Sequence, residues 1–187
     1  WICDEIPNGE LIKALTNNIM NRYESLSKEL QSILQKAGIV GMKFDSALIE
    51  EIFDVLSADE QFYNIEESTS LVHCEKSPYY YFENYDVHKL ILRQIKTQDQ
   101  HKWIRAIIDF YKNKLSRCTN IDKSLVYSYK LSSYFQDIAK RNNKTECYFD
   151  YAYYIMKCVV ICMNIFIGTS GGITLYGVKA RSCWWLL

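Results

Sequence analysis

Proline and glycine, the residues that most often interrupt helices, are scarce in this chain. Its 187 residues include 2 Pro and 7 Gly, whereas 49% are hydrophobic and 15 are Tyr. With 24% charged residues, the composition is that of a globular protein rather than a disordered one. We therefore expect long helices with few breaks, built around one good core or two small ones.

An excess of charge of either sign is also absent. Twenty-two Lys and Arg balance 22 Asp and Glu, so the formal net charge is zero. A surface dedicated to nucleic acid needs an excess of Lys and Arg. With a net charge of zero, such an excess could exist only as a local patch. We therefore expect no nucleic-acid partner.

Long apolar runs are missing as well. The most hydrophobic segment, "CVVICMNIFIG", is shorter than the roughly 20 residues that a bilayer span needs, and Lys157 and Asn164 interrupt the longer stretch around it. Of the two interpretations, a buried helix and a membrane span, the sequence favours the buried helix. We expect no membrane partner.

The seven cysteines form no CxxC pair. Their odd number and scattered positions favour free thiols in a reducing cytoplasm over a disulfide framework or a metal site. Cys158 and Cys162 share a helix face at a spacing of four, but two ligands do not complete a zinc site, so we interpret them as small buried side chains. The chain starts at Trp1 without a signal peptide, and we interpret it as an excerpt from a larger protein.

Motifs that carry catalysis are missing. The Gly-rich "GTSGG" lacks the Lys of a phosphate-binding loop, and adjacent acidic pairs such as Glu50-Glu51 fit solvated faces better than acid/base couples. None of the three histidines, His73, His88 and His101, lies in a nucleophile context. We expect no catalytic residue and no metal site in this chain.

Helical periodicity is what the sequence does contain. It predicts helices at about 9–24, after an N-cap at Ser27, after an N-cap at Asp45, over 87–95 and 103–115, and at 122–140 and 145–167. The polar stretch 57–68 is interpreted as one short helix at most. The segments "SLVHC" and "YYYFE" on either side of "EKSP" predict a strand, a turn and a second strand.

These elements predict a mainly α protein with a small β-hairpin wing. We assign residues 1–97 to a winged-helix domain, 98–167 to tetratricopeptide-like helical hairpins, and 168–187 to an irregular tail. The tail is either a linker with a strand or sequence foreign to the domain.

A family resemblance emerges in "NRYESLSKELQSILQKAGIVGMKFDSALIEEIF". This segment resembles the winged-helix region that follows the ATPase core in STAND-class AAA-type signalling ATPases. The positions that match the family pattern are Leu26, Ser27, Leu30, Leu34, Ala37, Gly41 and Phe44. From the residues themselves, we expect Ala37 and Gly38 to allow close helix contact, Gly41 to end the helix with positive φ, and Phe44 to fill the core. A generic helix-turn-helix corner would explain the glycine and the phenylalanine separately.

A second matching segment is "FENYDVHKLI", which resembles the family's wing-exit sequence. The family's His position falls on Asn84 and its Arg position on His88. The resemblance implies that these two residues contact a nucleotide-binding core that this chain lacks. Asn84 can form hydrogen bonds but cannot become cationic, and the alternative is that it caps the next helix.

The resemblance covers roughly residues 1–165, since "WIRAIIDFYKNKL" and the helices after it also resemble the family's post-wing repeats. It implies a non-catalytic regulatory or relay segment, most similar to the non-catalytic region of soluble adenylyl cyclases. Its partners would be intramolecular ATPase or cyclase domains, with ATP or ADP bound in the parent protein rather than in this chain. Alternatives are a fragment of a MalT-type transcriptional regulator and a helical-repeat scaffold that uses exposed tyrosines near Tyr127, Tyr129, Tyr134 and Tyr151.

Direct DNA binding is the remaining function to weigh, because winged helices often place their third helix in the major groove. We take "DSALIEEIFDVL" as that helix. It carries four acidic residues and no Lys or Arg, so phosphate repulsion argues against this function.

Overall fold

A computed structural model describes residues 8–142 and 145–168, and within them it is mainly helical with one small antiparallel sheet, as predicted. The helices are α1 Asn8–Glu24, α2 Lys28–Val40, α3 Ser46–Phe53, α4 Ala58–Thr69, α5 Tyr85–Arg93, α6 Thr97–Ser116, α7 Ile121–Asn142 and α8 Thr145–Gly168. The strands are β1 Lys43–Asp45, β2 Val72–Lys76 and β3 Tyr79–Phe82. The predicted tail, 168–187, lies outside the described residues apart from Gly168.

The chain divides into two compact units, Trp1–Ile107 and Ile108–Leu187. The division lies inside α6, whereas the boundary predicted from sequence, between residues 97 and 98, coincides with the start of that helix.

Local signals at the start of the first unit are confirmed. Ser27 caps α2 by accepting a hydrogen bond from the Leu30 amide at 3.2 Å, and Asp45 caps α3 through the Ala47 amide at 2.9 Å. Gly41 ends α2 with φ +144° while its N–H donates to the Ala37 carbonyl. This backbone region is almost exclusive to glycine, so the sequence correctly placed the helix end.

Phe44 fills the core of the first unit, also as predicted. It is 4% exposed, and its ring lies 4.7 Å from that of Phe62 and 5.5 Å from that of Phe82, measured between centroids. Gly38 fits the expectation less closely. A Cβ built there would lie 3.5 Å from the nearest side-chain atom of Leu92, which is an ordinary contact, so helix approach does not require glycine at this position.

The sheet has three strands, whereas the sequence predicted a two-stranded wing. β1 pairs antiparallel with β3, with Phe44 opposite Tyr80, and β3 pairs antiparallel with β2, giving the order β1-β3-β2. A three-residue strand is too short to show an alternating pattern, so only the pairing with β3 reveals it.

The helix before the hairpin is α4, which corrects the assignment of the third helix. The sequence predicts a polar stretch with at most a short helix at residues 57–68, yet they lie in a 12-residue helix with Phe62 and Ile65 fully buried. The order α2, β1, α3, α4, β2, β3 is that of a winged helix in which α4, not α3, occupies the third-helix position. The few apolar residues of α4 face inward, which is why the segment resembles a polar loop in sequence.

The second unit contains the helical hairpin α7–α8 together with the end of α6. Tyr111 stacks on Tyr134 of α7 at 6.2 Å, and Phe135 of α7 stacks on Tyr154 of α8 at 5.6 Å. The predicted helices, 122–140 and 145–167, agree with α7 and α8 to within two residues.

Candidate functional site

Asn84 is the N-cap of α5. Its side-chain Oδ1 accepts a hydrogen bond from the Val87 amide at 3.0 Å, and its carbonyl accepts one from the His88 amide at 3.2 Å. The structure thus gives Asn84 the capping geometry that was the alternative to nucleotide contact. One hydrogen bond to its side-chain carbonyl oxygen is thus used in the fold, and its amide group supplies the donors for an external partner.

His88 connects α5 to α2. Its Nε2 lies 2.8 Å from the Gly38 carbonyl oxygen, and because a carbonyl only accepts, the ring must donate. The imidazole also lies 5.0 Å from the Phe82 ring. His88 is half-buried, so this bond fixes the ring against the core rather than leaving it free in solvent.

Asn84 and His88 can offer few hydrogen bonds to a ligand. With Nε2 donating to Gly38, neutral His88 carries a lone pair on Nδ1, which accepts rather than donates. It would offer a phosphate oxygen a hydrogen bond only as the imidazolium. Asn84 and His88 are close in sequence and both lie at the start of α5, but the hydrogen bonds that each of them forms support the fold.

The surface of α4 is acidic. Between Ser46 and Thr69 the chain has seven Asp and Glu and no Lys or Arg. The solvent-facing side chains of α4 itself are Glu60, Tyr63, Asn64, Glu67 and Ser68. Because α4, rather than α3, holds the third-helix position, α4 is the helix that would face the DNA, and its carboxylates would repel the phosphates in the same way.

Asp59 at the start of α4 holds three elements together, a cluster that sequence reasoning missed. Its carboxylate accepts hydrogen bonds from Ser46 Oγ at 3.0 Å and Ser77 Oγ at 3.1 Å, and its backbone carbonyl accepts one from Tyr80 at 3.1 Å. Burial of the Tyr80 phenol, together with the nearby Asp59, raises the pKa of that phenol. Two hydroxyls that donate to the carboxylate and a phenol that donates to the backbone carbonyl of the same residue form a structural cluster.

A second unexpected cluster surrounds Lys36 in the first unit. Its Nζ lies 5.8 Å from the Phe53 ring centroid and 6.0 Å from that of Trp103, and those two rings meet edge to face. Burial, and then the neighbouring charge of Lys102, lower the pKa of Lys36. Cation–π contact stabilises the ammonium here, and no local sequence spacing could have indicated it, because the residues come from three helices.

The cysteines of the described residues form no disulfide with one another. They are Cys74, Cys118, Cys147, Cys158 and Cys162, whereas Cys3 and Cys183 lie outside the described residues. Burial and the neighbouring Cys162 raise the pKa of Cys158 to about 11, so its thiol is a poor nucleophile. Within the described residues, no group of three or more His, Cys, Asp or Glu is arranged to hold a metal ion. None of the helices in the described part of the chain has the length and apolar character of a membrane span.

The four tyrosines that the scaffold interpretation expected to be exposed are not exposed. Tyr134 is buried, and Tyr127, Tyr129 and Tyr151 are half-buried, so they pack within the unit. The exposed apolar surface lies instead along α8. We define the outer face of α8 by six of its exposed residues, Phe149, Ala152, Tyr153, Met156, Val159 and Val160.

The comparisons with known proteins add no relative. No family model matches the chain, and no curated protein and no solved structure matches it either.

Proposed function

We propose that this chain is a non-catalytic regulatory or relay segment of a larger nucleotide-dependent signalling protein, a relative of the soluble adenylyl cyclases. The winged-helix unit would pack on a nucleotide-binding core and move with its nucleotide state. The helices of the second unit would pass that movement to a catalytic domain or partner. ATP or ADP would be bound by the core, and the parent protein would be cytoplasmic.

The observation that carries this proposal is the acidic surface of α4. A winged helix that reads DNA needs a third helix compatible with phosphate, and α4 presents Glu60 and Glu67 around Tyr63. A protein surface with Lys or Arg is the counterpart that such a helix fits. Asn84 and His88 add little to the proposal, because both are engaged within the fold.

The sequence of the complete transcript that encodes this chain tests the proposal. A phosphate-binding loop core immediately upstream, with cyclase domains further upstream, is the expected result. A core without cyclase domains would favour another STAND-class protein, such as a MalT-type regulator. If no ATPase core is encoded, the relay proposal is wrong.

A helical-repeat scaffold without an ATPase partner is the second candidate. The outer face of α8 favours it, because an outermost repeat helix that faces only water is normally polar. Fluorescence anisotropy with random duplex DNA at low salt separates both candidates from a DNA-binding protein. We expect no binding, and a salt-dependent rise in anisotropy would contradict both.

A further inference from the structure

α8 is apolar on two opposite sides. Its inner side, which includes Tyr154 and Cys158, packs in the hairpin with α7, where the Cys158 thiol approaches the Leu125 carbonyl. The opposite side is the outer face, on which Phe149 is 77% exposed and Tyr153 and Met156 are each 60% exposed. A helix that is apolar all round is normally buried, so this face is suited to a second protein surface.

Two charges lie along one border of the outer face. Asp150 and Lys157 are seven residues apart, which is two helical turns, so they occupy the same position around the helix. Neither forms an ion pair within the part of the chain that the structure describes. One border therefore carries one acid and one base about 10 Å apart along the axis.

This pattern is self-complementary in one orientation. If a second α8 lies antiparallel, with the two-fold axis between Tyr153 and Tyr154, each Asp150 meets the Lys157 of the other copy. The same register places Phe149 between Met156 and Val160 of the other copy, a large side chain against smaller ones. In a parallel pair the two Asp150 and the two Lys157 would lie level with their own counterparts, and neither ion pair would form.

We propose that this chain self-associates through the outer face of α8, as a two-fold symmetric dimer with the two copies of α8 antiparallel. The outer face runs from Phe149 to Val160, about three helical turns, and one side of a helix of that length buries less area than the roughly 800 Å² per partner of a standard stable interface. The dimer is therefore weak, with a dissociation constant on the order of micromolar or above. This inference does not depend on the proposed function.

Sedimentation velocity of the full chain from about 1 to 300 µM tests the proposal. We expect a concentration-dependent monomer–dimer equilibrium. Met156→Glu, which places a carboxylate in the middle of the outer face, should abolish it. Leu56→Glu in the first unit is the matched control, since Leu56 is 82% exposed and outside α8, and it should leave the equilibrium unchanged.

Charge reversal tests the orientation. Asp150→Lys alone and Lys157→Asp alone should each weaken the dimer by about tenfold, because each replaces two ion pairs by two repulsive pairs. The double variant with both changes should return to within about threefold of wild type. Failure of the double variant to recover, or insensitivity of the dimer to the single changes, would overturn the antiparallel register.

Monomeric wild-type chain at all concentrations would overturn the proposal. In that case the melting temperature of Met156→Glu identifies the other occupant. A lowered melting temperature would mean that another part of the same chain covers the outer face of α8. An unchanged melting temperature would mean that the face is available to a different protein. A dimer that persists in Met156→Glu would equally overturn the proposal.

Discussion

His88 on α5 and Gly38 on α2 are 50 residues apart in sequence and are joined by one hydrogen bond of 2.8 Å between the ring Nε2 and the carbonyl oxygen. Gly38 lies in α2 between Ala37 and the end of the helix at Gly41, where carbonyls lose their intrahelical donors. The imidazole thus supplies a donor from a second helix to the last turns of the first. His88, for which the resemblance implies contact with a nucleotide-binding core, thus has a hydrogen-bond partner within the fold.

Removing that donor should destabilise the first unit. His88→Ala is expected to lower the free energy of unfolding by about 1–2 kcal/mol, because the Gly38 carbonyl loses its partner and the ring its packing on Phe82. Urea denaturation followed by circular dichroism measures this. His88→Gln, whose amide can replace Nε2, should recover part of the loss, and His101→Ala on the exposed side of α6 is the control. If His88→Ala and His101→Ala lowered the free energy of unfolding equally, the hydrogen bond from His88 to Gly38 would not contribute to stability.

The two glycines of α2 should respond in opposite ways to alanine. Gly41→Ala is expected to cost about 1–3 kcal/mol, because φ +144° is strained for any residue with a Cβ. Gly38→Ala is expected to be neutral or to stabilise by up to about 1 kcal/mol, since the position is helical and has room. Thermal denaturation of both variants checks the difference. A Gly41→Ala variant as stable as Gly38→Ala would refute the assigned backbone conformation.

The cap at Asn84 is expected to contribute about 1 kcal/mol. Asn84→Ala removes the acceptor of the Val87 amide, whereas Asn84→Asp keeps an acceptor and adds a charge that favours the helix N-terminus. We therefore expect the order Asp ≥ Asn > Ala in free energy of unfolding, measured in urea. Asn64→Ala, at an exposed position within α4, is the control and should not be destabilised. Indifference to Asn84→Ala would show that the cap is not formed.

Core packing should make the first unit highly sensitive to truncation of Phe44. Phe44→Ala should destabilise the protein by about 3–5 kcal/mol, because it removes a ring that contacts Phe62, Tyr80 and Phe82. Such a loss is large enough to unfold a marginally stable unit, so Phe44→Leu, with a smaller expected loss, should be measured beside it. Leu56→Ala is the exposed control. A loss below about 1 kcal/mol for Phe44→Ala would contradict the buried position.

Tyr80 should make the protein sensitive to alkaline pH. Burial raises the pKa of its phenol in the folded state, whereas the unfolded chain ionises near pH 10. Above pH 10 the unfolded state therefore loses a proton that the folded state retains, and the free energy of unfolding falls as the pH rises. Tyr80→Phe should make this fall less steep. Tyr63→Phe on the exposed side of α4 should keep the wild-type slope, and identical slopes in all three proteins would refute the assignment.

Much of the first unit could be predicted from local sequence. Ser27 and Asp45 act through amides two or three residues away, and Gly41 acts through its own φ, so neighbouring letters are sufficient to identify them. The same holds for the stripes that place α7 and α8. These signals are confirmed because the interactions that produce them do not require the rest of the chain.

The sites were much less predictable. The cluster at Asp59 joins residues 46, 59, 77 and 80, and the ring contacts of Lys36 involve residues 53 and 103. The strand β1 exists only through its pairing with β3. Hydrophobic periodicity reports which side of an element is buried, but it carries no information about which distant side chain lies there.

The sequence by itself determined that this protein is mainly helical, where most helices begin and end, and that Phe44 lies in the core. Only the tertiary structure decided that α4 holds the third-helix position, that His88 donates to Gly38, and that one whole side of α8 faces outward. The physical reason is the distance in sequence over which each interaction acts. Caps, turns and helical faces are set by residues within about four positions of one another. Helix order around the sheet and the partner of each polar group depend on contacts between residues tens of positions apart.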